Sequence, residues 1–415
     1  IDSYYKYVHI CNSFYYKSVN KMKKRFLFTE LKKYLVHKNA LIITGMRQVG
    51  KTTLIKQIFD ETEGNKIWFD FENPLHTLQF ENIDYDAIYT NLTKKFTKPK
   101  KRLFVFIDEI QNYPPITKII KYLIDTYNVK FILTGSSNFY MKNLFPESLS
   151  GRKFLFFLPP LSFSEFLYFR NKIHKNIGEV KIHFSDLTKK SLLDYKEYET
   201  DYNDYLQFGG FPEVALTKDI KTKSLVLNNI FSSFYEKDLK ILSDFKDVKE
   251  LRDLILLLVP RTGNILDITK ISSELSVPRT KLYSFIEFLE AIFFIKLIPK
   301  FTSSIDRSVA GGKKIYFADN GLLNIIARVN EGQLFENAIA NQLSHYGELS
   351  FYNKRNTSEI DFILNKKTAF EVKLNAVDKD LTKLKSLCTT LNINEYYLVS
   401  KNYSKTDCTI YPMFI

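Results

Sequence analysis

The chain has 415 residues, 45% hydrophobic and 26% charged, a normal globular balance with apolar material for two or three domain cores. Its net charge of +14 and pI near 9.2 favour polyanionic partners such as nucleic acid or an anionic membrane surface, although charge alone locates no site. Three cysteines (Cys11, Cys388 and Cys408) form no CxxC pair, and six scattered histidines include none at zinc-ligand spacing, so neither a disulfide framework nor a zinc module is expected and a reducing, cytoplasmic setting is.

Residues 1–24 form a Tyr-rich, then basic, amino-terminal arm that starts on Ile1 rather than Met and is unlike a signal peptide. Leu27 to Val36 has helical spacing. The run Ala40-Leu41-Ile42-Ile43-Thr44 then leads into Gly45-Met46-Arg47-Gln48-Val49-Gly50-Lys51-Thr52, a G-x-x-x-x-G-K-T phosphate-binding loop, and Thr53 begins a helical run. That strand–loop–helix setting is the one the motif requires. The glycines let backbone N–H groups of Gly45, Met46, Arg47, Gln48, Val49, Gly50, Lys51, Thr52 and Thr53 curl around a phosphate at a helix N-terminus. Lys51 can reach the outer phosphates of ATP, and the Thr52 hydroxyl can ligate Mg2+.

From 40 to about 175, apolar strands at 40–44, 66–71, 102–107, 129–134 and near 154–158 alternate with helices at about 52–60, 84–97, 115–127 and 162–173. Buried parallel strands read as continuous apolar runs, so the expected fold is α/β, a doubly wound parallel sheet with its ligand at the strand C-terminal ends. The strand from Arg102 delivers Asp108 and Glu109 at its C-terminal edge. Asp108 would hold the magnesium, and Glu109 would orient and deprotonate the attacking water. The strand ending Thr134-Gly135-Ser136-Ser137-Asn138 should lie beside it, its polar tip, Ser136 included, sensing the γ-phosphate or capping a following helix. Arg152 is either a charge stabilising the transferred phosphate, in cis or from a neighbouring subunit of a homo-oligomer, or one half of a structural ion pair. One strand, 66–71, lies between the phosphate-loop strand and the acid-bearing one; with the Asp-Glu pair, that resembles the AAA+ branch of P-loop ATPases.

Ser162 and Glu165 form a helix-starting capping box. Residues 176–250 read as a helical lid or linker, punctuated by a turn at Phe208-Gly209-Gly210-Phe211-Pro212-Glu213. Within 251–310, two helices flank a turn at Ser276-Val277-Pro278, and 291–298 supplies wing strands, a winged helix-turn-helix with Arg279 and Lys281 opening the second helix. That helix also carries Glu287 and Glu290 and an apolar face, so packing module and DNA reader both remain open. In 311–415 a helix bearing Glu336 precedes strands bearing Asp361 and then Glu371 and Lys373, the last two on one face. Three acids and a lysine at a sheet edge make a hard-metal site in which Glu336, Asp361 and Glu371 bind Mg2+ and Lys373 positions or activates water. This resembles the PD-(D/E)xK restriction-endonuclease-like fold, with the chemistry either kept or lost.

The whole order looks like a group of prokaryotic AAA+ ATPases. In that group a G-x-R-Q-V-G-K-T loop, an I-D-E-I-Q strand, an L-T-G-S-S strand and a G-G-F-P-E turn precede a winged helix and a restriction-endonuclease-like C-terminal domain of unknown function. Those motifs stand here at Gly45–Thr52, Ile107–Gln111, Leu133–Ser137 and Gly209–Glu213. The resemblance implies ATP binding and hydrolysis with Mg2+, and action on or near DNA; the other reading is an ATP-gated switch whose C-terminal domain grips a partner.

Overall fold

A computed structural model describes residues 23–94, 96, 101–135, 149, 151–174, 183–238, 245–302, 311–354 and 358–415. The chain divides into two compact units, 1–159 and 160–415. Most of the arm at 1–24, the segment with Ser136, Ser137 and Asn138, and the links at 175–182 and 303–310 lie outside the described residues.

In the first unit, α1 (Leu27–Lys33) leads to β1 (Ala40–Thr44), α2 (Lys51–Glu61), β2 (Asn65–Asp70), α3 (Tyr85–Thr93), β3 (Leu103–Asp108), α4 (Ile116–Tyr127), β4 (Lys130–Gly135) and β5 (Lys153–Phe157). The strands form one sheet in the order β2-β3-β4-β1-β5, every pair parallel. In chain order β2 separates β1 from β3; in the sheet β4 does, and β2 is an edge. β1 and β4 are buried along their whole length, which is why they read as unbroken apolar runs. On one face Ile42, Ile67, Val105, Ile107 and Leu133 pack with Ile116, Ile120, Leu123 and Ile124 of α4. β2, an edge, alternates buried and half-buried residues instead.

A buried lysine and a half-buried arginine tie α1 and the loop after it to the N-terminal edge of the sheet. Lys130 Nζ donates to the carbonyls of Tyr34, His37 and Asn39 at 2.8, 2.9 and 2.6 Å, and the Arg102 guanidinium reaches those of Val36 and His37 at 2.8 and 3.0 Å. These bonds satisfy carbonyls of the segment after α1, which ends at Lys33 rather than running to Val36.

The second unit contains α5 (Phe163–Phe169), α6 (Leu192–Phe208), α7 (Pro212–Leu216), α8 (Ile220–Ser233), α9 (Phe245–Leu258), α10 (Ile268–Leu275), α11 (Arg279–Ala291), β6 (Ile295–Pro299), β7 (Lys313–Phe317), α12 (Asn320–Ile326), α13 (Glu331–Leu343), β8 (Leu349–Lys354), β9 (Ser358–Leu364), β10 (Thr368–Lys373), α14 (Asp378–Leu391), β11 (Glu395–Ser400) and β12 (Thr409–Ile410). β8 to β12 form a mixed sheet in sequential order, antiparallel across β8-β9-β10 and parallel across β10-β11-β12.

Three sequence-based boundaries move. The helix expected at 162–173 closes the ATPase core in the sequence reading, but Phe163, Phe166 and Leu167 of α5 sit in the core of the second unit. The expected lid or linker is also part of that core. Tyr195, Tyr202, Tyr205 and Leu206 of α6 pack with Phe335 and Ile339 of α13 and Phe370 of β10, and Tyr202 donates to Gln342 Oε1 at 2.8 Å. Finally, β7 pairs antiparallel with β6, Ile295 opposite Phe317 and Pro299 opposite Lys313, so a module border at 310/311 falls inside a hairpin.

The Gly-Gly turn after α6 is a docking point. A Cβ on Gly210 would lie 2.3 Å from the Leu161 carbonyl oxygen, and one on Gly321 would lie 2.2 Å from that of Phe208, so neither position has room for a side chain. Gly210 N–H donates to Asp319 Oδ2 at 2.7 Å and Leu322 N–H to Asp319 Oδ1 at 3.1 Å. Burial pushes the Asp319 carboxyl up to about 6 despite these donors. Its folded pKa is raised, so its contribution to stability is full below the unfolded value and is lost as pH rises through about 6. Chemical denaturation across pH should therefore find Asp319→Asn gaining on the wild-type protein as pH rises from about 4 to about 7.

Candidate functional site

The C-terminal edge of the first sheet gathers most of the expected nucleotide-site residues. The loop leaves β1 at Thr44, whose carbonyl accepts from Leu158 N–H at 2.8 Å. A Cβ on Gly45 would sit 2.2 Å from Leu158 O, so only glycine lets the chain turn there. Gln48 and Gly50 take left-handed φ values of 60° and 96°. Met46 and Val49 turn their side chains into the interior, while Arg47 is half-buried and Gln48 exposed, so any phosphate contact from Met46 or Val49 comes from the backbone. Arg25, 4% exposed, braces the loop from outside the motif by donating to the carbonyls of Val49 at 2.7 Å and Pro159 at 2.8 Å. Only the basic run before it hinted at this residue.

Lys51 is buried at the start of α2, and its ammonium donates to the loop's own carbonyls, Gly45 O at 2.9 Å and Met46 O at 2.7 Å. Thr53 follows it, half-buried, in the same first turn. The Thr52 hydroxyl donates to Asp108 Oδ2 at 2.7 Å, and the Thr134 hydroxyl donates to Asp108 Oδ1. Burial raises the Asp108 pKa; these two hydroxyls oppose the shift, and the nearby charges of Glu109 and Asp70 add to it. A carboxylate and a hydroxyl in contact at a phosphate loop are the hard oxygen donors that suit Mg2+, and the cation would offset the cost of burying Asp108. These residues therefore fit the metal.

Glu109 sits one residue beyond β3 in the left-handed region, φ 55°, which is uncommon for a residue with a side chain. Its N–H donates to Thr134 Oγ1 at 3.1 Å and its carboxylate accepts from Gln111 Nε2. The half-buried acid thus has a fixed backbone and a side-chain partner two residues on. Ser136 lies outside the described residues.

Arg152 does not join this group. It immediately precedes β5, its carbonyl accepts from Ala40 N–H at 2.9 Å, and β5 runs parallel to β1, so Arg152 stands at the edge of the sheet opposite the phosphate loop. Its guanidinium pairs with Asp125 at 2.7 Å. Of the two roles the sequence leaves open for Arg152, the ion pair is the one present, and it stands away from the phosphate loop of its own chain. Arg152→Ala should leave ATP affinity within about twofold and cost less than about 1 kcal/mol of stability, as exposed ion pairs do. A large affinity loss in equilibrium titration would contradict this placement.

In the second unit the acids expected to bind Mg2+ lie near one another but do not enclose a metal. Among the described residues no three His, Cys, Asp or Glu side chains converge to hold one. The cation among them is Lys314 of β7, its side chain 5% exposed, with Nζ 2.6 Å from Glu359 Oε1, 3.4 Å from Glu336 Oε1 and 3.9 Å from Asp361 Oδ1. Tyr316 donates to Glu336 Oε1 at 2.7 Å, and Val372 N–H donates to Asp361 Oδ2 at 2.8 Å. Lys373 shares a face with Glu371 and bonds its Oε1 at 2.8 Å, while Glu371 Oε2 is buried without a partner. Burial, then the Asp361 charge, pushes both Glu336 and Glu371 up to about 7. Glu336, Asp361 and Glu371 as a three-acid Mg2+ centre do not fit, because the space between two of them is taken by an ammonium. Lys314, Tyr316 and Glu359 were missed in the sequence, where a Lys-Lys pair opening a strand reads as a solvated edge.

Together, a parallel sheet of order β2-β3-β4-β1-β5, a glycine loop opening α2 and two acids at the tip of β3 define a P-loop NTPase core. Residues 37–167 match the family model described as an AAA domain. Residues 199–333 and 331–413 match two models described only as domains of unknown function, DUF8612 and DUF4143. The chain is similar to an uncharacterized protein of Methanocaldococcus jannaschii, 29% identical over 343 residues that span 80% of this chain and 73% of that one. An uncharacterized protein of Haemophilus influenzae is 27% identical over 390 residues, 88% of this chain and 90% of its own. Among solved structures, the Walker-type ATPase paby2304 of Pyrococcus abyssi aligns with a TM-score of 0.42 at 15% identity, over 74% of this chain and 99% of that one. Among the described residues no helix is long and apolar enough to cross a membrane.

Proposed function

We propose that this protein binds ATP with Mg2+, hydrolyses it, and uses the cycle to reposition a winged helix and an endonuclease-like module on or near DNA. The observation that carries the ATPase reading is the contact of Thr52 and Thr134 with Asp108, beside Lys51 and the backbone-fixed Glu109. The N–H groups of the loop and the Lys51 ammonium would bind the β- and γ-phosphates, Lys51 exchanging its two carbonyl partners for phosphate oxygens. Thr52 and Asp108 would hold the Mg2+, which supplies charge neutralisation across those phosphates. Glu109 would accept the proton of the attacking water. Lys51→Ala should then abolish tight ATP binding, whereas Glu109→Gln should keep binding and lose turnover by about 100-fold or more. Normal hydrolysis by the Glu109→Gln protein sinks the assignment.

The winged-helix reading draws support from α10 and α11, joined through left-handed Ser276 and followed by the β6–β7 hairpin. The endonuclease-like reading draws support from the mixed sheet that places Asp361 beside the β10 strand of Glu371 and Lys373.

Two observations favour the second reading, an ATP-gated interaction switch with a catalytically inactive C-terminal fold. Lys281, expected at a DNA groove, is bound by Asp247 and Glu250 of α9, each at 2.5 Å, which leaves Arg279 as the exposed base at the head of α11. Lys314 lies among the acids where metal chemistry was expected. Titrating DNA affinity against salt separates the readings. A steep negative slope of log K on log salt favours the DNA-acting protein, because phosphate contacts release counterions, and a flat slope or no binding favours the switch.

A further inference from the structure

We infer that Lys314 is the resident cation of the C-terminal acid cluster, an ammonium that takes the place of a divalent metal and locks the β6–β7 hairpin onto α13 and β9. The inference is independent of whether the first unit hydrolyses ATP, and it rests on the second reading above, in which the C-terminal acids hold no metal.

The hairpin register puts Lys314 opposite Ile298 and Tyr316 opposite Lys296, so Lys314 and Tyr316, two residues apart, share one face of β7. Both reach the same atom, Glu336 Oε1 of α13, at 3.4 and 2.7 Å. Lys314 continues to Glu359 and Asp361, two residues apart on β9. One side chain therefore meets carboxylates that come from two elements and lie more than twenty residues apart in sequence, Glu336 and Glu359. Divalent cations take that bridging role when carboxylates converge from several elements, since each acid needs a counter-charge once it leaves water.

The surroundings are built to the ammonium. Lys314 is buried on a strand, and its Nζ lies over the Phe351 ring, 5.4 Å from the ring centroid. The far side of Glu336 is closed by Gly263, at φ +78°, where a Cβ would come within 3.1 Å of Glu336 Oε2. The Gly263 N–H in turn donates to Ile315 O at 2.8 Å, the carbonyl next to Lys314. The segment before α10, the hairpin and α13 thus share one ion-paired joint. Backbone pairing extends the joint to the mixed sheet, where Phe301 N–H donates to Phe351 O at 2.6 Å.

In this arrangement the carboxylates hold the hairpin in place. Glu371, with one oxygen paired to Lys373 and the other unpartnered, is the acid left outside the Lys314 cluster.

Terbium provides the test, because Tb3+ prefers carboxylate oxygens and emits when an adjacent tyrosine, here Tyr316, is excited. In the nucleotide-free full chain, wild-type emission titrated with Tb3+ should be unchanged by Asp361→Asn, since the cluster already has its cation. Lys314→Met, which keeps the stem and removes the charge, should acquire a saturable Tb3+ site at least about tenfold tighter than any in the wild-type protein. That site should disappear in Lys314→Met/Asp361→Asn. If Lys314→Met does not fold, the wild-type comparison decides alone. A wild-type Tb3+ site that is lost in Asp361→Asn would mean that metal displaces the ammonium, and the inference would fall. A folded Lys314→Met protein without a new site would overturn it equally.

Discussion

The nucleotide site depends on one buried carboxylate with two hydroxyl donors. Asp108 accepts from Thr52, at the head of α2, and from Thr134, near the tip of β4, so three elements of the sheet edge are held by one acid. The same Thr134 hydroxyl accepts the Glu109 N–H, which carries the constraint to the next residue and fixes it in a left-handed conformation. An ionised group out of water is tolerated only when its lone pairs are met. Here that requirement also aligns the residues expected to meet magnesium and water. The glycine turn at Gly45 sets the height of the loop above this network, because its approach to Leu158 leaves no freedom to shift.

Charge organises the second unit differently. Lys223, its side chain 4% exposed, sits 2.6 Å from Asp204, Lys281 bridges Asp247 and Glu250, and Lys314 collects Glu336, Glu359 and Asp361. Each of these lysines meets its acids across different elements, so the joints between helices and hairpins are ionic as well as apolar. Where the lysine itself is buried, as at Lys223 and Lys314, removing one partner is costly, about 3–5 kcal/mol, because the other charge is left behind.

Much of the first unit was legible in the sequence. Strands buried on both faces are written as uninterrupted apolar runs, and Gly45 to Thr52 and Asp108-Glu109 carry their meaning in spacing alone. For Arg152 the sequence left two roles open, and the ion pair with Asp125 is the one present; distance along the chain does not say at which end of a parallel sheet a residue emerges. The second unit was harder. The helix Leu192–Phe208 presents Asp194, Lys196, Glu197 and Glu199 between its buried tyrosines, so its composition reads as a linker while one face is core. The pairing of β6 with β7 spans the unassigned segment between them, and no local pattern reports such a partner. Lys314 was invisible for the same reason: its three acids come from positions 336, 359 and 361.

The conformation of Lys51 has an energetic consequence. Its ammonium already holds two carbonyl oxygens of its own loop, so an arriving triphosphate competes with internal ligands rather than with water alone. Affinity then measures an exchange of partners, and the difference between two charge-assisted sets of bonds is smaller than either set. A loop that solvates its own lysine can stand empty without collapsing, and it can release product without first exposing a bare charge. An exchange of that kind favours reversible occupancy of the pocket.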